Sequence, residues 1–301
     1  MAKALTKTGL NGLLNRLLNG PTPVLHHPSR SVQTLAYEEI KSSPEKPHEF
    51  TVFVLHGLLG SEWRMVLVDL RNHGKSAEIE GLLPPHTLEN AAKDLANLVK
   101  SEGWDWPDVV IGHSMGGKVA LQFAQSCADG HYGDNVSLPK QRGREQLWVL
   151  DSVPGKVIRD NSDGEVEKVL LTLQSLPSTI PSRKSLSEWI GSNLKKSEEQ
   201  VTWAFNLDGA VQMFNSYREM DYWPLLEHTP KGMEISILRA EKSDRWDPDV
   251  IQQLEHVASK RVGDAEGKVS VHVLPNAGHW VHVDNPKGLL EIVAPKVASV
   301  V

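Results

Sequence analysis

The sequence predicts an α/β fold, a mostly parallel sheet flanked by helices, with a helical cap inserted late in the sheet. Three observations predict it. Strand-like and helix-like segments alternate after Pro28, the pattern of a parallel sheet covered by helices. Val109-Val110-Ile111 runs directly into Gly112-His113-Ser114-Met115-Gly116-Gly117, the form of a buried strand turning sharply into a helix with a serine at the apex. Between Asp151 and Glu234 there is no strand signal for about eighty residues, only helical patterns and loops.

The elements follow in chain order. Lys3, Lys7, Arg16 and Arg30 precede the first acidic residue, Glu38, and Leu10, Leu13, Leu14, Leu17 and Leu18 share one helix face. Residues 1–30 therefore read equally as an organellar transit peptide, for a mitochondrion or chloroplast, or as a surface helix of an otherwise cytoplasmic, intracellular chain. Val32 to Ile40 reads as an early strand and Ser42 to Pro47 as a turn. Thr51–Leu55 is a buried strand ending in His56-Gly57, and Met65–Asp69 is another, followed by the loop Arg71–Ser76. Thr87 is placed to cap a helix carrying Leu88, Ala91, Leu95 and Leu98 on one face. After the serine turn, Lys118 to Ala124 continues as a helix. Gln146–Leu150 is a strand ending at Asp151, and Glu234–Leu238 and Val269–Leu274 are the last two. One domain is expected over 31–301, with the cap at about 155–232. Trp189, Trp203, Trp223, Phe205 and Phe214 fall in that insertion, which suggests a cap over a substrate pocket that also needs its own core.

Composition excludes several classes. The net charge of -6 gives no reason to expect a nucleic-acid partner, and no apolar run reaches the roughly 18 residues of a transmembrane segment. Cys127 is the only cysteine, so no intrachain disulfide or cysteine-based metal site forms; beside Phe123 and Ala124 it suits packing. No cluster implies a metal or an organic cofactor.

A serine hydroxyl is a weak nucleophile near neutral pH and needs a base beside it. His279, in Pro275-Asn276-Ala277-Gly278-His279-Trp280, follows the last strand, where a loop can carry an imidazole over the serine turn. His282 suits the pocket edge or the surface. The acid that fixes the imidazole tautomer has three candidates: Asp151 after the strand that follows the nucleophile helix, Asp244 after the next strand, and Asp208 in the cap. At Asp244's place the neighbouring Ser243 falls where the acid is expected.

His56-Gly57-Leu58-Leu59-Gly60-Ser61, Asp69 to Ser76, Gly112 to Lys118 and Pro275 to Trp280 together resemble the alpha/beta-hydrolase superfamily, from about Val32 to the C-terminus. Within it the Arg-Asn-His-Gly and Gly-His-Ser-Met-Gly-Gly-Lys forms most resemble the abhydrolase-domain esterases of type eleven and related small bacterial esterases. The resemblance implies that Ser114 is acylated, that His279 is the general base, and that the backbone N–H groups of Leu58 and Met115 form an oxyanion hole. It matches Asp151 to an acid on the strand after the nucleophile and Asp208 to a cap aspartate proposed for the same role.

One feature departs from that pattern. Gly57 to Arg64 leaves only about eight residues where a crossover helix of a dozen or more normally stands. Eight extended residues reach roughly 26 Å, enough for a taut return. The expectation is a shortened form of an ordinary esterase, with one sheet face uncovered and the Leu58–Ser61 loop displaced. The leading function is a serine hydrolase acting on small-molecule carboxylic or thio esters with an apolar acyl or aromatic part. The alternative is a catalytically impaired or non-catalytic ligand-binding member of the same fold. Epoxide and haloalkane hydrolysis on this fold use an aspartate nucleophile, so Ser114 argues against both.

Overall fold

The computed structural model describes residues 24–26, 35–40, 51–55, 64–133, 145–157, 179–180, 194–197, 200–203, 206–260 and 267–297. The expected leader or helix over 1–30 therefore lies outside the described residues, apart from β1 (Val24–His26). So do the connection at 56–63 and most of the first half of the insertion.

The chain builds an eight-stranded sheet of order β1-β2-β4-β3-β5-β6-β10-β11. Its members after β1 are β2 (Tyr37–Ile40), β3 (Thr51–Leu55), β4 (Arg64–Val68), β5 (Val109–His113), β6 (Glu145–Leu150), β10 (Met233–Ala240) and β11 (Lys268–Leu274). β1–β2 and β2–β4 pair antiparallel; every other pairing is parallel. β5 is buried along its whole length, as expected of a parallel strand covered on both faces, so it reads as an unbroken apolar run. Alternation still sorts its side chains, with Val110 in one core and Val109 and Ile111 in the other.

The first core holds Leu147, Val149, Ile235 and Ile237 from the sheet. Against them pack α1 (Leu88–Ser101), α2 (Met115–Ala128) and α5 (Pro248–Ser259). Thr87 caps α1 through its side-chain oxygen, which accepts from the Asn90 N–H, and Cys127 is buried in this core with Phe123 and Ala124. The second core gathers Trp148, Leu150 and Leu238 under α6 (Val281–Asp284) and α7 (Pro286–Val297).

β3 and β4 pair parallel from Thr51↔Arg64 to Val54↔Leu67, although only residues 56–63 join them. That span is shorter than the dozen or more residues of an ordinary parallel crossover. The uncovered face expected there is only partly exposed: Met65 is buried in the second core and Leu67 half-buried.

The insertion corrects the sequence expectation in one respect. Besides α3 (Leu207–Glu219) and α4 (Trp223–Glu227) it contains β7 (Thr179–Ile180), β8 (Leu194–Ser197) and β9 (Gln200–Trp203), a second, antiparallel sheet of order β7-β9-β8. α3 is fastened directly to the main domain. Asn72 Nδ2 donates to the Asn206 carbonyl and Asn72 Oδ1 accepts from the Asn206 N–H, each at 2.8 Å. Gln212 and Ser216 accept from the His86 and Leu88 N–H groups.

Lys118 locks the same junction from below. Its fully buried ammonium donates to the carbonyls of Gly155 (2.7 Å), Tyr217 (2.6 Å) and Met220 (3.0 Å), tying α2 to the end of α3. Lys118→Met keeps the stem but leaves three buried carbonyls without this donor, each costing about 1 kcal/mol or more. A loss of roughly 3 kcal/mol, or a drop of about 6–12 °C in thermal midpoint, is expected by calorimetry.

Candidate active site

The site stands where β5 meets α2. Ser114 has φ 54° and ψ -122°, a strained conformation for a residue with a Cβ. Two glycines permit it: a Cβ at Gly112 would run into the Gly116 carbonyl, and one at Gly117 would lie 2.8 Å from Ser152 Cβ. The Ser114 N–H donates to the Leu150 carbonyl at 3.0 Å, which pins the turn to β6. The hydroxyl is thereby presented at the start of α2, where the first N–H groups have no partner within the helix.

His279 comes from the loop between β11 and α6. Its Nε2 lies 3.0 Å from Ser114 Oγ, and its Nδ1 lies 2.8 Å from Asp151 Oδ2. A carboxylate only accepts, so Nδ1 carries the proton and Nε2 is left with a lone pair facing the hydroxyl. That is the tautomer a general base needs.

Asp151 is fully buried at the end of β6. Its Oδ2 accepts from His279 and from Ser243 Oγ (2.7 Å), and its Oδ1 from the Ala240 N–H (2.9 Å) and Trp246 Nε1 (2.7 Å). Burial pushes this carboxyl up, but the four hydrogen bonds outweigh it and hold the group below the usual carboxylate range. It stays ionised beside the imidazole, ready to balance the imidazolium that forms when the serine proton moves.

The other expected residues are placed elsewhere. Asp244 lies in the turn after β10, where its neighbour Ser243, not the aspartate, reaches Asp151. Asp208 sits in the first turn of α3, at the helix N-terminus. His279 meets neither through Nδ1, because that atom is taken by Asp151. Met115 opens α2 directly after the serine, and Leu58 lies outside the described residues. His282 falls in α6, with its ring centroid 5.6 Å from that of His113.

Sequence reasoning missed the residues that satisfy Asp151 and missed His113. Ser243, Trp246 and Ala240 arrive from the far end of β10, and nothing local to Asp151 announces them. His113 is buried directly beneath His279.

Buried histidines give the fold a pH dependence. Burial pulls the His113 imidazole down to about 4, with the nearby His279 adding to the effect. Burial also lowers His86 and His272, helped by Arg71 and Lys296 respectively. In the unfolded chain each ionises near about 6.5. Their stabilisation is therefore complete above that pH and is lost as the pH falls toward the folded values; for His113 alone it is on the order of 3 kcal/mol. The thermal midpoint is expected to hold between pH 7 and 8 and to fall steadily from about pH 6.5 to 4.5 in calorimetry.

Comparison with known proteins places this geometry among relatives. The alpha/beta hydrolase family matches residues 46–292. A Mus musculus protein named sn-1-specific diacylglycerol lipase ABHD11 is 23% identical over 280 residues, covering 82% of this chain and 80% of the relative. The Homo sapiens protein phosphatase methylesterase 1 is 28% identical over 278 residues, covering 77% of this chain and 67% of the relative. Among solved structures a marine microorganism esterase superposes with a TM-score of 0.64 at 21% identity, covering 90% of this chain and all of the other, a likeness in fold.

Proposed function

The chain belongs to the alpha/beta hydrolase family and is a serine hydrolase, and we propose that its substrates are neutral carboxylic esters with an apolar acyl or aromatic part. The observation that carries the chemistry is the unbroken line from Ser114 Oγ through His279 to Asp151. His279 Nε2 takes the hydroxyl proton as Ser114 Oγ bonds to the carbonyl carbon. The tetrahedral intermediate collapses, Nε2–H gives that proton to the departing alcohol oxygen, and the acyl group remains on Ser114. Water then loses a proton to the same nitrogen as its oxygen bonds to the acyl carbon; the Ser114 Oγ–carbon bond breaks, Nε2–H returns the proton to Oγ, and the acid leaves. The Met115 N–H supplies one oxyanion donor, and the resemblance assigns the second to the Leu58 N–H, outside the described residues.

Two features support the substrate class. Trp280, 60% exposed, stands beside the catalytic imidazole with ring centroids 5.6 Å apart, and the exposed Val283 follows it on α6. The two relatives are named as a diacylglycerol lipase and a methylesterase, both ester-cleaving names. A p-nitrophenyl ester series tests the reading. The ratio kcat/KM is expected to rise from acetate to octanoate and to fall at least about tenfold for the negatively charged succinyl half-ester, as a buried unpaired charge requires. Preference for the charged ester would contradict it.

With a connection of only residues 56–63, the second oxyanion donor is expected to be out of place. Removing one such donor costs about 100- to 1000-fold in turnover. Inserting a helical crossover of a dozen or more residues after Ser61 is expected to raise kcat by that order and to raise the thermal midpoint. Equal activity and stability in the two chains would refute it.

A further inference from the structure

We propose that His113 is a positioning residue for ester hydrolysis, its side-chain bond to the His279 backbone holding the catalytic imidazole over Ser114. The proposal rests on the serine-hydrolase reading of the site.

The catalytic imidazole rides on a loop, the kind of segment most free to drift. Its own neighbours hold that loop to β10 and α6: the Lys242 N–H donates to the Ala277 carbonyl, and the Val281 N–H donates to the His279 carbonyl. Neither bond refers to the strand that carries the nucleophile. His113 does. Its Nε2 lies 2.7 Å from the His279 carbonyl oxygen, and a carbonyl only accepts, so Nε2 is the protonated nitrogen. One peptide bond separates His113 from Ser114, so base and nucleophile share a single rigid reference.

The rings reinforce that tie. The His113 and His279 centroids are 4.7 Å apart with planes tilted by 34°, so the lower ring also forms a floor for the upper one. His113 is 8% exposed, which leaves it little room to change rotamer. The titratable groups facing it are His279, His282 and Asp151. Burial keeps His113 neutral down to about pH 4, so it adds no second positive charge beside the imidazolium formed in the reaction. A misplacement of about 1 Å in such a site costs on the order of 100-fold in rate, which is the scale a lost anchor is expected to reach.

The test compares His113→Leu with His113→Gln, whose amide nitrogen reaches about as far as imidazole Nε2. With p-nitrophenyl butyrate the leucine variant is expected to lose about 10- to 100-fold in kcat with KM within about twofold. The glutamine variant is expected to recover to within about threefold of the wild type, because the N–H donor is restored. Separately, the imidazole nitrogen NMR spectrum of the wild type is expected to show His113 as the neutral Nε2–H tautomer from pH 5.5 to 9. Full activity in the leucine variant, no recovery in the glutamine variant, or a His113 that titrates near 6.5 would each overturn the proposal. Wild-type protein that turns over no ester would instead overturn the hydrolase reading, and the spectrum tests the His113 bond apart from it.

Discussion

Ser114→Ala is expected to lower kcat for ester hydrolysis by about 10⁶-fold while leaving the thermal midpoint within a few degrees of the wild type. The size follows from what the hydroxyl does. It is the atom that becomes acylated, and its proton goes to His279 Nε2, 3.0 Å away. What survives is the rate that binding and backbone N–H donors give to attack by water. The fold is expected to tolerate the change because alanine keeps the backbone bond from residue 114 to the Leu150 carbonyl, and that bond pins the turn. Steady-state kinetics with p-nitrophenyl butyrate, alongside a melt, read both halves.

Asp151→Asn is the second large effect, about 10⁴-fold in kcat. The hydrogen bonds dictate which way the amide faces. On one side the carboxylate meets the Ala240 N–H and the Trp246 indole N–H, which can only donate. An amide NH₂ cannot face them, so it must turn toward His279 and Ser243. The imidazole then accepts through Nδ1 and carries its proton on Nε2, where it faces the serine and cannot remove the hydroxyl proton. The expected signature is a fall in kcat with KM little changed. Asp244→Asn and Asp208→Asn are expected to keep kcat within about threefold, since neither changes the imidazole tautomer.

The parts of this protein that were legible in its sequence are those whose signal is local. A strand buried on both faces must be apolar at every position, so β5 was visible from Val109 to Ile111. The serine turn was visible because its geometry excludes a Cβ at Gly112 and Gly117. His279 followed from its place after the last strand. Sequence alone leaves three aspartates as the acid because what selects Asp151 is a set of donors from residues 240–246, about ninety positions away along the chain. The second sheet was missed for a different reason. Its strands are two to four residues long, and Leu194-Lys195-Lys196-Ser197 has none of the β-branched or aromatic residues that mark a strand. His113 sits at the variable position of the serine motif, and only the tertiary approach of the His279 loop gives it a role.

The short connection between β3 and β4 shows the same division. Its length can be counted between Gly57 and Arg64, and the parallel register of β3 on β4 holds across it. Met65, read as part of a buried strand, is buried in the second core with Val109 and Ile111.

Ser114, activated by His279 and Asp151, is a nucleophile that forms a covalent acyl intermediate. Incubation of the folded chain with a fluorophosphonate, followed by intact mass and peptide mapping, tests it directly. One adduct per chain is expected, located on Ser114, absent in Ser114→Ala and formed far more slowly in Asp151→Asn. A folded wild-type chain that takes up no label, or that takes it up equally in Ser114→Ala, would contradict it.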